Sequence, residues 1–256
     1  MLASLVSILL AAAPSVLTVA GVEGDAQAFT SLTDVQGTPQ ADGRYTQWVS
    51  KDVLHIESRY DFPGGRVAIE RASVRLHPLQ QETWSWDEKQ GDKPIREFAI
   101  DFKTGVATGQ HFGEKPEKWN EKISIEAGKT WAGIAFIEPI KAMRESVHEG
   151  QTMDLHAIGM TPKPRKVKVT VTHVGAQRID MAGRHVDSDK FLIHPDVPAV
   201  AKLFVKAPDN AIWLVSGRPA AFLRYEGPLC EPTDPMVHVD LIASPSANVA
   251  AHADAR

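Results

Sequence analysis

The chain has one cysteine, Cys230, in 256 residues. That excludes an internal disulfide, a paired-cysteine zinc site and a dithiol redox centre. It has no excess of basic charge: 28 Lys and Arg stand against 32 Asp and Glu, for a net charge of −4. Nothing in that balance points to nucleic acid as a partner. Enzyme signatures are missing as well. There is no G-x-S-x-G nucleophile elbow, no H-E-x-x-H helix and no glycine loop of the phosphate-binding kind. No Pro/Gly-rich linker or internal repeat divides the chain. A protein without disulfides must be held by its apolar core alone, and a chain of this length can supply one.

What is present begins at the N-terminus. Leu2 to Ala20 is an almost unbroken apolar run, followed by Ala26-Gln27-Ala28 and then Phe29. An apolar segment followed by small residues is the layout of a secretory signal. Nothing basic precedes Leu2, and the run is near the ~20 residues that span a bilayer, so an uncleaved anchor is the rival reading. Pro14 within the run and Glu23 and Asp25 after it favour a removed peptide. The expectation is a signal peptide over 1–28 cut near Ala28, with a cut after Ala20 as the alternative. A single β-rich domain over 29–243 and a disordered tail over 244–256 complete the organisation. No cysteine follows the apolar run, so a thioether-linked lipid anchor is excluded, and no stable membrane span is expected after cleavage.

Period-two patterns dominate the rest. In Val53 to Phe62, the residues Leu54, Ile56, Tyr60 and Phe62 share one face and His55, Glu57 and Arg59 the other. Gly64-Gly65 turns this run into Arg66 to Leu76. Glu82 to Asp87, Ile95 to Phe102 and a short segment toward Phe112 read as strands, and Gly113 to Asn120 as loop. Later strands are Gln151 to Ile158, Arg165 to Val174, Gln177 to Met181, His185 to Ile193, Ile212 to Ser216, Phe222 to Tyr225 and Met236 to Ile242. Pro195 to Lys206 fits either a short helix or an edge strand. Phe136, Ile140, Met143 and Val147 recur at helical spacing, which predicts a helix over Glu138 to His148. So many strands joined by tight turns predict a mainly β protein. Its expected form is one strongly curved antiparallel sheet or open β-barrel with a helix packed against it.

Several residue groups could carry chemistry. Trp84-x-Trp86 projects two indoles from one face of a strand, which is either a ligand platform or core. His185-x-Asp187-x-Asp189 places three potential metal ligands on one strand face, or simply marks a solvated edge. Lys163, Arg165, Lys166 and Lys168 concentrate charge that could meet an anionic headgroup, or could guard a strand edge. Glu145-x-x-His148 has the spacing of a carboxylate-bridged metal centre, but such centres need a second helix with the same pair. Cys230 lies between prolines with no helix start to activate its thiol, so it reads as an inert packing residue.

The order of landmarks carries a resemblance. A signal segment precedes a strand ending in Asp101-Phe102-Lys103-Thr104-Gly105. A mid-chain helix bearing Arg144, then Gly150, paired strands, Ile212-Trp213-Leu214 and a closing hairpin follow. From Val53 to about Ile242 the chain resembles an uncharacterised, domain-of-unknown-function family of exported bacterial β-rich proteins. The resemblance implies a barrel-like envelope protein and brings no catalytic residues with it.

These readings together lead to an exported, non-enzymatic binder of a lipid or other apolar envelope component, requiring no cofactor. Two alternatives stay open: a secreted metal-dependent hydrolase built on His185, Asp187 and Asp189, and a structural or interaction protein with no small ligand.

Overall fold

A computed structural model of the protein describes residues 23–144, 146–160, 163–181, 183–196 and 209–243. The first half is a meander of β1 (Ala26–Asp34), β2 (Pro39–Ser50), β3 (Val53–Asp61), β4 (Arg66–Arg75), β5 (Gln80–Gln90), β6 (Lys93–Asp101), β7 (Val106–His111) and β8 (Glu117–Lys122). Two residues of β9 (Thr130–Trp131), a 3-10 turn over Gly133–Phe136 and α1 (Ile137–Arg144) come next. The second half is β10 (Thr152–Gly159), β11 (Arg165–Met181), β12 (Arg184–Pro195), β13 (Asn210–Val215), β14 (Phe222–Pro228) and β15 (Met236–Ala243). Because β15 pairs with β1, the two meanders fuse into one 15-stranded sheet with β8 and β9 at its two ends. Every pairing is antiparallel except the short parallel contact of β9 with β10.

The sheet must curl. In its strand order β6 and β14 are seven steps apart, which in a flat sheet would separate them by ~34 Å. Yet Arg96 of β6 bonds Glu231 at 2.6 Å and Asp234 at 2.8 Å, just beyond β14. The mainly β, curved and unclosed sheet with a helix against it is the architecture that the alternation predicts. Its concave side holds the core. Leu54, Ile56 and Tyr60 are buried as their period-two face requires, as are Phe98 and Ile100 on β6 and Val169 and Val171 on β11. The helix is buried on all sides: Ile137 through Met143 are enclosed, including Glu138 and Lys141. Lys141 bonds Glu138 at 3.0 Å and Glu23 at 3.3 Å. Burial would lower its ammonium pKa, but those two carboxylates outweigh burial and hold it raised.

Three local expectations are revised. Gly113 to Asn120 is not all loop, since β8 begins at Glu117 and pairs with β7. The helix ends at Arg144, four residues early. There the guanidinium bonds Asp189 Oδ2 at 2.6 Å and the carbonyls of Ser216 and Gly217, which fixes the last turn against β12. The two strands expected over Arg165 to Met181 are one, broken in register at His173 and Gly175. That bulge exchanges the faces of β11, so Ile179 and Met181 join Trp213 and Leu223 in a second apolar cluster on the convex side. Ala26-Gln27-Ala28, at the expected cleavage site, lies at the start of β1 and pairs with Gln47, Thr46 and Tyr45 of β2. Residues 197–208, which hold most of the ambiguous stretch, and the tail 244–256 lie outside the described residues.

Candidate ligand cavity

Within the concave face lies a cavity of about 580 Å³. Its walls are mainly apolar, with Phe136, Ile137, Met160, Ile212, Phe222 and Val239 among them. The space exists because small side chains line part of the sheet. The inward residues of β4 are Ala68, Glu70, Ala72 and Val74, so alanines flank a carboxylate. Across β3 the partner of Glu70 is Ser58. At the far side, Gly159 of β10 stands opposite Arg165 of β11, and no atom lies within 4 Å of where its Cβ would be.

Glu70 is the chemical centre of this wall. Its Oε1 accepts the indole N–H of Trp84 at 2.7 Å and the backbone N–H of Ile134 at 2.7 Å. Among the described residues Oε2 accepts no hydrogen bond. Burial disfavours the charge and pushes the carboxyl up to about 7, against the lowering effect of the two donors. Gly133 makes the approach possible: a Cβ there would overlap both Trp84 Nε1 and Glu70 Oε1, and its φ of +53° suits glycine. Thr30 Oγ1 and Asn210 Oδ1, on two further wall residues, are buried without a hydrogen-bond partner among the described residues. Such groups cost about 1–3 kcal/mol each unless water or a ligand satisfies them.

The structure separates the sequence's paired candidates. Trp84 lines the cavity, whereas Trp86 is fully buried, with its N–H on Glu88 Oε2 at 3.2 Å and Tyr60 at 6.3 Å between ring centroids. The two indoles share a face, but only one meets open space. The basic group divides similarly. Arg165 falls on the inward face with Val167 and Val169, at the cavity's edge, and forms no ion pair among the described residues. Lys166 pairs with Glu126 at 2.6 Å, Lys168 with Asp154 at 2.7 Å, and Lys163 with Glu121 at 3.2 Å.

The metal candidates are not brought together. His185 bonds Asp180 at 2.5 Å and Asp187 bonds Arg178 at 2.9 Å, both in solvent. Asp189 is buried against Arg144. Successive same-face residues on a strand lie ~6.8 Å apart, and here each has its own partner. No group of three His, Cys, Asp or Glu side chains that could hold a metal occurs among the described residues. Glu145 lies outside them, and His148 is exposed. Cys230 is half-buried in the cavity wall, where burial pushes its thiol well up and leaves it poorly nucleophilic.

Sequence reasoning missed Glu70, Gly133 and Gln81. Gln81 donates to Ala132 O at 3.1 Å and accepts from Ala132 N–H at 2.7 Å, tying β5 to the end of β9. An available signal was the Ala68-x-Glu70-x-Ala72 spacing on a strand that otherwise alternates with apolar residues.

Solved structures to which this chain is similar include two. One is a β-barrel-like protein of domain of unknown function DUF1849 from Brucella abortus. It has 13% identity and a TM-score of 0.45, and the match covers 86% of this chain and 96% of that one. The other is the hypothetical lipoprotein YmcC from Escherichia coli. It has 9% identity and a TM-score of 0.38, covering 85% and 84%. Both descriptions leave function unassigned. No family model matches the chain, and no curated protein does. Among the described residues no helix is long and apolar enough to cross a membrane.

Proposed function

We propose that this protein is an exported envelope protein that binds an amphipathic molecule, enclosing the apolar part in the concave cavity with an anionic head at Arg165. The observation that carries this reading is the cavity itself. Its volume falls within the ~300–1,000 Å³ range of small-molecule sites, and apolar walls with a few convergent polar groups are what such sites present. Arg165 supports the orientation, because a rim guanidinium with no ion pair among the described residues suits a carboxylate or phosphate. Among the described residues of the cavity none pairs a nucleophile with an adjacent base, and the reading is of binding rather than turnover.

Export belongs to the same reading, with the leader removed before Glu23 rather than after Ala28. Gly24 O accepts Gln47 Nε2 at 2.9 Å, Asp25 Oδ1 accepts Val49 N–H at 3.1 Å, and Glu23 pairs with buried Lys141. A cut after Ala28 would remove all three contacts and the start of β1, whereas a cut after Ala20 spares them.

Native mass spectrometry of untagged protein recovered from its own envelope tests the binding. A lipid-sized adduct that disappears on adding a competing detergent supports the reading. A bare chain that also fails to take up the apolar fluorophore N-phenyl-1-naphthylamine would overturn it.

A further inference from the structure

We infer that Glu70 is a specificity residue of the cavity: as a carboxylic acid, it donates a hydrogen bond from Oε2 to an acceptor oxygen, such as an ester or amide carbonyl, on the enclosed ligand. This rests on the cavity reading above and names the chemistry that the ligand must carry.

Only one of the two Glu70 oxygens can hold the proton. Trp84 Nε1 and Ile134 N both point N–H groups at Oε1, each at 2.7 Å. An oxygen receiving two donors has no free lone pair for a proton, so the acid's hydrogen resides on Oε2. That oxygen has no partner among the described residues, and Glu70 is part of the cavity wall. The O–H therefore points where a ligand would be. Gly133 is the structural requirement for this arrangement, since any Cβ there would displace both the indole and the carboxylate.

The surroundings keep the acid protonated near neutrality. Tyr60 faces Glu70 from β3 and Tyr225 from β14, and Cys230 follows β14. Burial pushes all three up, so each remains neutral. Glu231 also lines the cavity, but it is engaged by Arg96 at 2.6 Å and His111 at 3.1 Å. Arg165, Lys166 and Lys168 lie at the other flank, on β11. The acid's raised pKa, about 7, centres the loss of this donor near neutral pH. A buried donor left without an acceptor discriminates against ligands lacking one.

The experiment is displacement of N-phenyl-1-naphthylamine, which stays uncharged over the pH range used, from the full protein. The competitors are a neutral methyl ester of a fatty acid and an n-alkane of matching length. At pH 6 the ester is expected to compete about tenfold better, the worth of one hydrogen bond. At pH 8.5 that preference is expected to vanish in the wild type. Glu70→Gln retains an oxygen for Trp84 and Ile134 and turns an amide N–H₂ toward the cavity, so it should keep the preference at both pH values. Glu70→Leu should bind ester and alkane alike. Circular dichroism of both variants identifies any that fail to fold, and the Gln variant alone then decides. Equal competition by ester and alkane in the wild type at pH 6 overturns the role of Glu70 while leaving the cavity reading intact. Failure of the fluorophore to bind at any pH overturns both.

Discussion

Gln81 and Ala132 face each other as though they were neighbours in a sheet. The side-chain amide of Gln81 gives and receives one hydrogen bond each with the Ala132 backbone, at 3.1 and 2.7 Å. The curled sheet is unclosed between β8 and β9, and this pair, 4% and 2% exposed, ties the interior segment across to β5 where strand pairing has stopped. Gln81→Ala would leave a buried N–H and C=O unsatisfied. It is expected to destabilise the protein by about 2–3 kcal/mol, read as a lower urea midpoint at unchanged slope.

Glu70 makes stability fall as pH rises. Its carboxyl is raised from 4.5 to about 7 in the folded protein. Below 4.5 both folded and unfolded chains hold the proton and the group contributes nothing. Between 4.5 and about 7 the unfolded chain ionises while the folded one keeps its proton, so stability is lost, reaching about 3 kcal/mol above 7. Glu70→Gln removes that loss. Denaturation from pH 4 to pH 8.5 should show variant and wild type closest at the acid end, with the variant gaining as pH rises. A constant difference across the range would rule this out.

Arg96 holds a buried charge cluster together. It reaches Glu88 at 2.7 Å, Glu231 at 2.6 Å and Asp234 at 2.8 Å, joining β6 to the loop after β14. Arg96→Met leaves these carboxylates without their shared cation. A loss of about 3–5 kcal/mol is expected. Urea denaturation of variant and wild type at neutral pH checks the size.

The mature N-terminus is expected upstream of Glu23. Intact-mass analysis of the protein from its native compartment decides between this and a start at Phe29. A chain beginning at Phe29 would lack the Glu23 partner of Lys141 and would refute the placement.

Arg165→Glu is expected to weaken binding of dodecyl sulfate at least fivefold at low salt and to leave the methyl ester's affinity nearly unchanged. Because the side chain is exposed, stability should move by no more than ~0.5 kcal/mol. Isothermal titration with each ligand separates the two effects, and equal weakening of both would contradict a headgroup role.

How far these features could be read from sequence varied by strand. On β3 and on β11 from Val167 to Val171 one face is largely apolar and the other polar, so alternation alone assigned inside and outside there. On β4 it misleads. Val67 and Ile69 look like the core face but are only half-buried, while Ala68, Glu70 and Ala72 turn inward. Small and ionisable residues carry no hydrophobic signal, and they are the ones that make the cavity. Similarly, β8 is a run of charged residues around Trp119, held as a strand by pairing with β7 rather than by burial.

The amino-acid sequence by itself determined the class of the protein: one mainly β sheet, its turns, the central helix and the absence of disulfides. These follow from local periodicity and turn chemistry, which act over a few residues. Only the tertiary structure decided which inward residues meet space and which meet core. Trp84 and Trp86 are equivalent in pattern, yet the Gly133 segment arrives beside one of them from about fifty residues away. His185, Asp187 and Asp189 share a face in the sequence, yet distant partners separate them. Curvature brings β6 to β14 and Gln81 to Ala132, and no local rule specifies how tightly a sheet curls, because that depends on the sum of its packing.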